Sequence, residues 1–136
     1  MFVGQFEHQL DDKGRVVLPS TFRAQLADGG FIASDESGRR CLVVFQRNKF
    51  MEEAERLLQL VRDKEISRDA VTRFGGSASE MKPDGQGRVA IPPTLREHAG
   101  LGDRGGVVVV GSLDRIEIWD AQIYRQTVAA AGGPAS

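Results

Sequence analysis

The sequence predicts an α+β fold, mainly β, made of two similar halves carrying short helices and related by an approximate two-fold within one chain. The first observation is a repeated phrase. Asp11-Asp12-Lys13-Gly14-Arg15-Val16-Val17-Leu18-Pro19-Ser20-Thr21-Phe22-Arg23 returns as Asp84-Gly85-Gln86-Gly87-Arg88-Val89-Ala90-Ile91-Pro92-Pro93-Thr94-Leu95-Arg96, at a constant offset of 73 residues. That offset is too long for a solenoid unit and suits a small subdomain. The second observation is that short apolar runs rich in Val, Ile and Phe alternate with Asp- and Gly-bearing turns, the pattern of short strands. The third is size: a half of about 70 residues buries too little apolar surface to be comfortable alone, so the halves are expected to share one core.

The elements follow in order. Gln5 to Leu10 and Arg15 to Leu18 are expected as the arms of a hairpin whose tip is Asp11-Asp12-Lys13-Gly14, and Ser79 to Pro83 with Arg88 to Ile91 repeat it around Asp84-Gly85-Gln86-Gly87. Asp caps such a turn through its own side chain, and glycine supplies a positive φ without steric cost. Pro19 and Pro92 end the second arm of each hairpin. Two-turn helices then run over Ser20 to Leu26, with Phe22 and Leu26 at i, i+4, and over Pro93 to Ala99, closed by Gly100 as C-cap. Phe31 to Ala33 and Leu42 to Phe45 are strands of the first half, answered by Val107 to Val110 and Ile116 to Trp119 in the second. A longer helix is predicted over Asn48 to Arg62, with Asn48 as N-cap and Phe50, Ala54, Leu57, Leu58 and Val61 on one face. That face suits the core or a subunit interface. Ser67 to Arg73 forms another short helix, and the small-residue tail Ala129 to Ser136 is expected to fray. The resulting division is 1–47 for the first half, 48–76 for a helical connection, 77–124 for the second half and 125–136 for the tail.

Composition narrows the class of function. With 40% hydrophobic and 27% charged residues and a net charge of −1, the chain is an ordinary globular protein whose total charge does not demand a polyanionic partner. A basic face remains compatible with that total, because a polyanion responds to local clustering. The lone Cys41 forms no intramolecular disulfide and lies in an apolar run, as a small buried residue in a reducing cytoplasm. No stretch approaches the roughly 20 apolar residues of a membrane span, and the opening Met1-Phe2-Val3-Gly4-Gln5 lacks the basic start of a signal peptide.

The opening Met1-Phe2-x-Gly4, the two Asp-x-x-Gly-Arg tips, the proline after each strand, the arginine of each short helix and the closing Ile116-Glu117-Ile118-Trp119-Asp120 together resemble the MraZ family over nearly the whole chain. The resemblance implies tandem units of the AbrB-like swapped-hairpin barrel class in a bacterial transcriptional regulator. It implies a nucleoid-associated cytoplasmic protein that forms ring-like homo-oligomers, octamers or dodecamers. It also implies binding to double-stranded DNA at short G-rich direct repeats in the promoter of the protein's own division and cell-wall gene cluster. One departure is Phe74-Gly75-Gly76-Ser77-Ala78, more glycine-rich than the family's turn and expected as a loop.

Within this frame Arg15 and Arg88 are the leading candidates for DNA contact, because a two-stranded ribbon enters a major groove and a guanidinium fork matches guanine O6 and N7. Asp11 and Asp84, with Gly14 and Gly87, are expected to orient the tips, since a free carboxylate repels phosphate. Lys13, Arg23 and Arg96 are candidates for phosphate contact. For Arg23 and Arg96 support of the fold is an equal alternative. A barrel-type protein-interaction module without DNA binding is the competing reading of the whole. An enzyme is disfavoured: His8 and His98 lack companion ligands or a nucleophile at useful spacing, and no cofactor or metal is expected. Gly100-Leu101-Gly102-Asp103-Arg104-Gly105 matches a dinucleotide-binding pattern but leads into a strand where that mechanism needs a helix. Trp119 is expected as a core anchor.

Overall fold

The computed structural model describes residues 1–102 and 105–130. The chain order is β1 (Phe2–Gln9), β2 (Arg15–Val17), α1 (Ser20–Gln25), β3 (Gly30–Ser34), β4 (Leu42–Gln46), α2 (Arg47–Arg62), α3 (Arg68–Ser77), β5 (Ser79–Met81), β6 (Arg88–Ala90), α4 (Pro93–Ala99), β7 (Gly106–Leu113), β8 (Ile116–Asp120) and α5 (Ala121–Tyr124), followed by a π-helical turn at Arg125–Ala129. The fold is α+β and mainly β, compatible with tandem AbrB-like units. Six strands form one antiparallel sheet in the order β1-β7-β8-β4-β3-β5, and β2 pairs with β6 in a separate two-stranded ribbon.

Strand partners differ from the hairpins expected. Both tips are tight turns, with Gly14 N donating to Asp11 O at 3.1 Å and Gly87 N to Asp84 O at 2.9 Å. Beyond each tip the two arms part company. β1 runs antiparallel to β7 from Phe2 opposite Leu113 to Gln9 opposite Gly106, β5 pairs with β3, and β2 takes β6. Every one of these pairings joins a strand of the first half to one of the second. Exchanging the halves and reading the sheet order backwards restores the same order, which is the approximate two-fold. The physical reason is burial. A three-residue arm such as Arg15–Val17 has one inward side chain, and only the twin arm brings Val16 and Val89 together in a shared interior, 0% and 1% exposed.

One apolar cluster draws on both halves, from Phe2, Val16, Leu18 and Phe22 to Val89, Ile91, Leu95 and Ile118. Phe22 meets Phe2 and Phe6 edge-on at 5.3 and 5.4 Å. On the opposite face of the sheet, α2 and α3 cover Ala33, Val43 and Phe45. A third cluster holds Cys41, Val108, Trp119 and Tyr124, so Trp119 is fully buried as a core anchor. The strand Leu42–Gln46 therefore has helices or core on both faces, and Leu42 to Phe45 are all buried.

Three local expectations are corrected. The α2 helix begins at Arg47 after Gln46, with no side-chain cap, so Asn48 is not its N-cap; β4 turns directly into the helix, and the Arg47 side chain fastens this corner to Asp28 O at 3.1 Å. The buried side of α2 is set by Glu53 and Leu57 with Phe50 packed beside them, rotated from the stripe through Ala54, Leu58 and Val61. Finally, α3 continues past Arg73 through the expected loop at Phe74-Gly75-Gly76. Ser67 caps its start by accepting from Ala70 N at 3.2 Å, and Phe74 at its end stacks on Phe50 at 5.6 Å. Burial of Phe74 outweighs the cost of about 1 kcal/mol that each helical glycine carries. The predicted fraying of the tail from 131 onward lies outside the described residues.

An ionic junction joins the halves beside this helical layer. Arg39 binds Glu117 Oε2 at 2.6 Å and Asp35 Oδ1 at 3.0 Å, while Arg115 of the β7–β8 turn reaches Glu36 and, at 3.6 Å, Glu53 of α2. Arg56 grips Glu53 at 2.6 and 2.8 Å. Burial pushes the Glu36 carboxyl up to about 7, aided by its hydrogen bond to Glu53. For Glu53 burial acts in the same direction, but Arg56 and the Glu36 hydrogen bond outweigh it and hold the carboxylate below its ordinary value. The two carboxyls are thus pushed apart, Glu36 above and Glu53 below the ordinary range.

Candidate functional site

Strand geometry places the four outward residues of the β2–β6 ribbon. In the register Arg15 opposite Ala90, Val16 opposite Val89 and Val17 opposite Arg88, the central valines point inward. Side chains alternate along a strand, so Arg15, Val17, Arg88 and Ala90 share the outer face. Arg15 and Arg88 stand diagonally on it, related by the same two-fold that relates the halves. Each is half-buried, with 26% and 32% of its side chain exposed.

The two tips have the same hydrogen-bond geometry. Asp11 Oδ1 accepts from Lys13 N and Arg15 N, both at 2.9 Å, and its Oδ2 accepts from Arg15 Nε at 2.7 Å. Asp84 Oδ1 accepts from Gln86 N and Arg88 N at 2.9 Å, and its Oδ2 from Arg88 Nε at 2.7 Å. The donated backbone N–H of Arg88 is the foremost cause that holds the Asp84 carboxyl down to about 2, and that of Arg15 lowers Asp11 in the same way. Both carboxylates are consequently charged at neutral pH and their oxygens are occupied. Each arginine is held by Nε alone. Among the described residues neither Nη of Arg15 nor of Arg88 makes a hydrogen bond, which leaves the two-nitrogen edge of each guanidinium available for an acceptor pair.

Gly14 and Gly87 are buried in the turns at φ of +73° and +79°. Lys13 is exposed at the first tip, where the second tip has the neutral Gln86. Arg23 and Arg96 are half-buried and project from α1 and α4 to the tips, each to the one belonging to the other half. The structure therefore gathers the candidates for DNA contact and tip orientation around a single ribbon. Across the two motifs and the two helix arginines, five cations stand with three carboxylates, Asp11, Asp12 and Asp84, a local excess of positive charge on a chain whose net charge is −1. Sequence reasoning missed Val17 and Ala90 as part of the same face. Their position two residues from an arginine, or opposite one, was the available signal, but it needed the β2–β6 pairing to be known.

Comparison with known proteins finds one family matched in both halves of the chain. Residues 1–72 and 74–132 match the family described as "MraZ protein, putative antitoxin-like". The chain belongs to the MraZ family. It is 40% identical over 129 residues to the transcriptional regulator MraZ of Arthrobacter sp. (strain FB24), covering 95% of this chain and 88% of that protein. The transcriptional regulators MraZ of Paenarthrobacter aurescens (strain TC1) and Kocuria rhizophila are each 41% identical, across 93% of this chain and 85% of theirs. These relatives are named as regulators of transcription, and members of the family are not enzymes. Among the described residues no helix is long and apolar enough to cross a membrane.

Proposed function

We propose that this chain is a sequence-specific DNA-binding regulator of transcription that inserts the outer face of the β2–β6 ribbon into a major groove. The observation that carries the reading is the matched pair Arg15 and Arg88, each fixed through Nε by a tip aspartate, with no Nη hydrogen bond among the described residues. The major groove is about 12 Å wide and admits a two-stranded ribbon, and a guanidinium edge pairs with guanine O6 and N7. Holding Nε in advance removes rotamer freedom that would otherwise be lost on binding. Lys13 at the first tip contacts phosphate, a role that adds affinity without base preference. The names of the relatives support the regulatory part of this reading.

The finer assignment rests on the family resemblance: the targets are G-rich direct repeats in the promoter of the protein's own division and cell-wall gene cluster, and the protein acts on the nucleoid as a ring-like homo-oligomer. One ribbon makes few contacts. Stable occupancy then comes from several subunits engaging successive repeats, a linkage that raises avidity by roughly 10² to 10⁴. The test is fluorescence anisotropy on duplexes with one or several G-rich boxes, at several salt concentrations, for wild type, Arg15→Ala and Arg88→Ala. Multi-box duplexes should bind far more tightly than single boxes, and each arginine variant should lose about 1 to 3 kcal/mol per site with relaxed base preference. Retention of wild-type affinity and preference by both variants would make the tips structural and favour a protein-interaction module.

A further inference from the structure

The tip glycines show what the helix arginines do. A Cβ built on Gly14 would lie 2.5 Å from Nη1 and 2.6 Å from Cζ of Arg96, and one built on Gly87 would lie 2.6 Å from Nη1 and 2.9 Å from Cζ of Arg23. Each guanidinium therefore rests directly on the bare face of a left-handed glycine. The crossing is complete: Arg96 belongs to α4 of the second half and sits on the first tip, whereas Arg23 belongs to α1 of the first half and sits on the second. Backbone hydrogen bonds cross with them. Leu18 N donates to Gly87 O at 2.9 Å, and Ile91 N donates to Gly14 O at 3.0 Å. A groove of about 220 Å³ beside α1 is lined jointly by Arg23, Pro83 and Asp84, which shows the same seat from the solvent side. At the other tip Arg96 Nε is buried and without a hydrogen-bond partner among the described residues, a desolvation cost that the guanidinium bears at its seat on Gly14.

From this geometry we infer that Arg23 and Arg96 are positioning residues that set the conformation of the opposite half's tip, and that they act on DNA through Arg88 and Arg15 respectively. The inference rests on the DNA-binding reading for its functional half only. A guanidinium is flat and broad, and covers a glycine face that an ammonium does not. Removing it leaves the Asp11-to-Gly14 or Asp84-to-Gly87 turn open on the side where only glycine's lack of a side chain allowed the contact. The Asp–Nε bond that aims the base-reading arginine closes over that turn, so the loosened tip broadens the arginine's orientation. Each reading arginine thereby depends on the other half of the chain.

The experiment has one arm without DNA and one with it, both on the whole chain. Hydrogen–deuterium exchange is followed at residues 10–16 and 83–89 for wild type, Arg96→Gln, Arg96→Lys, Arg23→Gln and Arg23→Lys. Both Arg96 variants should speed exchange at the first tip several-fold and spare the second, and both Arg23 variants should do the reverse. Lysine keeps the charge and still fails, which separates flat packing from simple cationic character and supplies a milder variant should glutamine prevent folding. In the binding arm, the effect of Arg15→Ala should shrink at least about threefold in an Arg96→Gln background, while that of Arg88→Ala stays unchanged; Arg23→Gln should couple to Arg88→Ala in the same way. Exchange that rises at the variant's own half, or at neither tip, overturns the inference. So does an Arg96→Gln protein whose binding loss adds to both arginine substitutions and whose salt slope falls by about one, the signature of a direct phosphate contact that Arg96→Lys would restore. Crossed exchange in a protein that binds no G-rich duplex would overturn the DNA reading and leave the cross-half brace standing.

Discussion

Alanine at three kinds of glycine separates the two demands that the tips make. Gly85 has no positive φ and open space within 4 Å of where a methyl would stand, Gly38 has φ +87° in equally open space, and Gly14 and Gly87 combine φ of +73° and +79° with a guanidinium in the way. A non-glycine residue in the left-handed region costs roughly 1 to 2 kcal/mol. Replacing glycine also restricts the unfolded chain, which stabilises by about 0.4 to 1 kcal/mol where the native backbone tolerates the change. Gly85→Ala should therefore stabilise slightly and Gly38→Ala should destabilise by about 1 kcal/mol or less. Gly14→Ala and Gly87→Ala should cost about 1 to 2 kcal/mol, because Arg96 or Arg23 must also withdraw. Valine at either tip glycine should cost more, since a branched Cβ meets both the strained backbone and the guanidinium. The assay is the urea midpoint at fixed protein concentration, with unchanged slope as the condition for reading it as stability. Equal effects at Gly85 and Gly87, which share one turn, would refute the reasoning.

Other expectations follow from neighbouring features. Lys13→Ala should weaken binding to all sequences alike and flatten the salt dependence by about one unit for each phosphate no longer neutralised, measured by anisotropy between low and physiological salt. The Glu36 carboxyl is raised from 4.5 to about 7, so the folded state holds a proton that the unfolded chain releases. Its stabilisation is full below about pH 4.5 and is lost as pH rises through about 7; Glu36→Gln should remove this decline and be the more stable protein at pH 8 by about 1 to 3 kcal/mol, read from denaturant midpoints at pH 5 and 8. Phe22, 1% exposed and edge-on to Phe2 and Phe6, should cost about 3 to 5 kcal/mol on truncation to alanine, again by denaturant midpoint.

Local devices were legible along the chain. The Asp-x-x-Gly-Arg tips close through contacts no more than four residues apart, so the turn, the left-handed glycine and the aspartate's hold on the arginine are all encoded within five positions. The two-turn helix from Pro93 with its left-handed Gly100 stop is likewise a matter of neighbours. The repeat added one non-local fact, that there are two such devices. How they meet was settled by long-range packing. Which strand accompanies β1 or β2 depends on whose apolar face closes the interior, and backbone hydrogen bonding is indifferent to sequence, so partners in the other half of the chain won over the adjacent arm. The same competition drew Gly75 and Gly76 into a helix behind Phe74 and turned Glu53 inward once Arg56 and Arg115 were there to receive it. Only then did Arg23 and Arg96, whose roles in phosphate contact or in the fold stood as equal alternatives along the chain, come to lie on glycines in the opposite half, because a side chain's role in packing is set by what long-range pairing brings beside it.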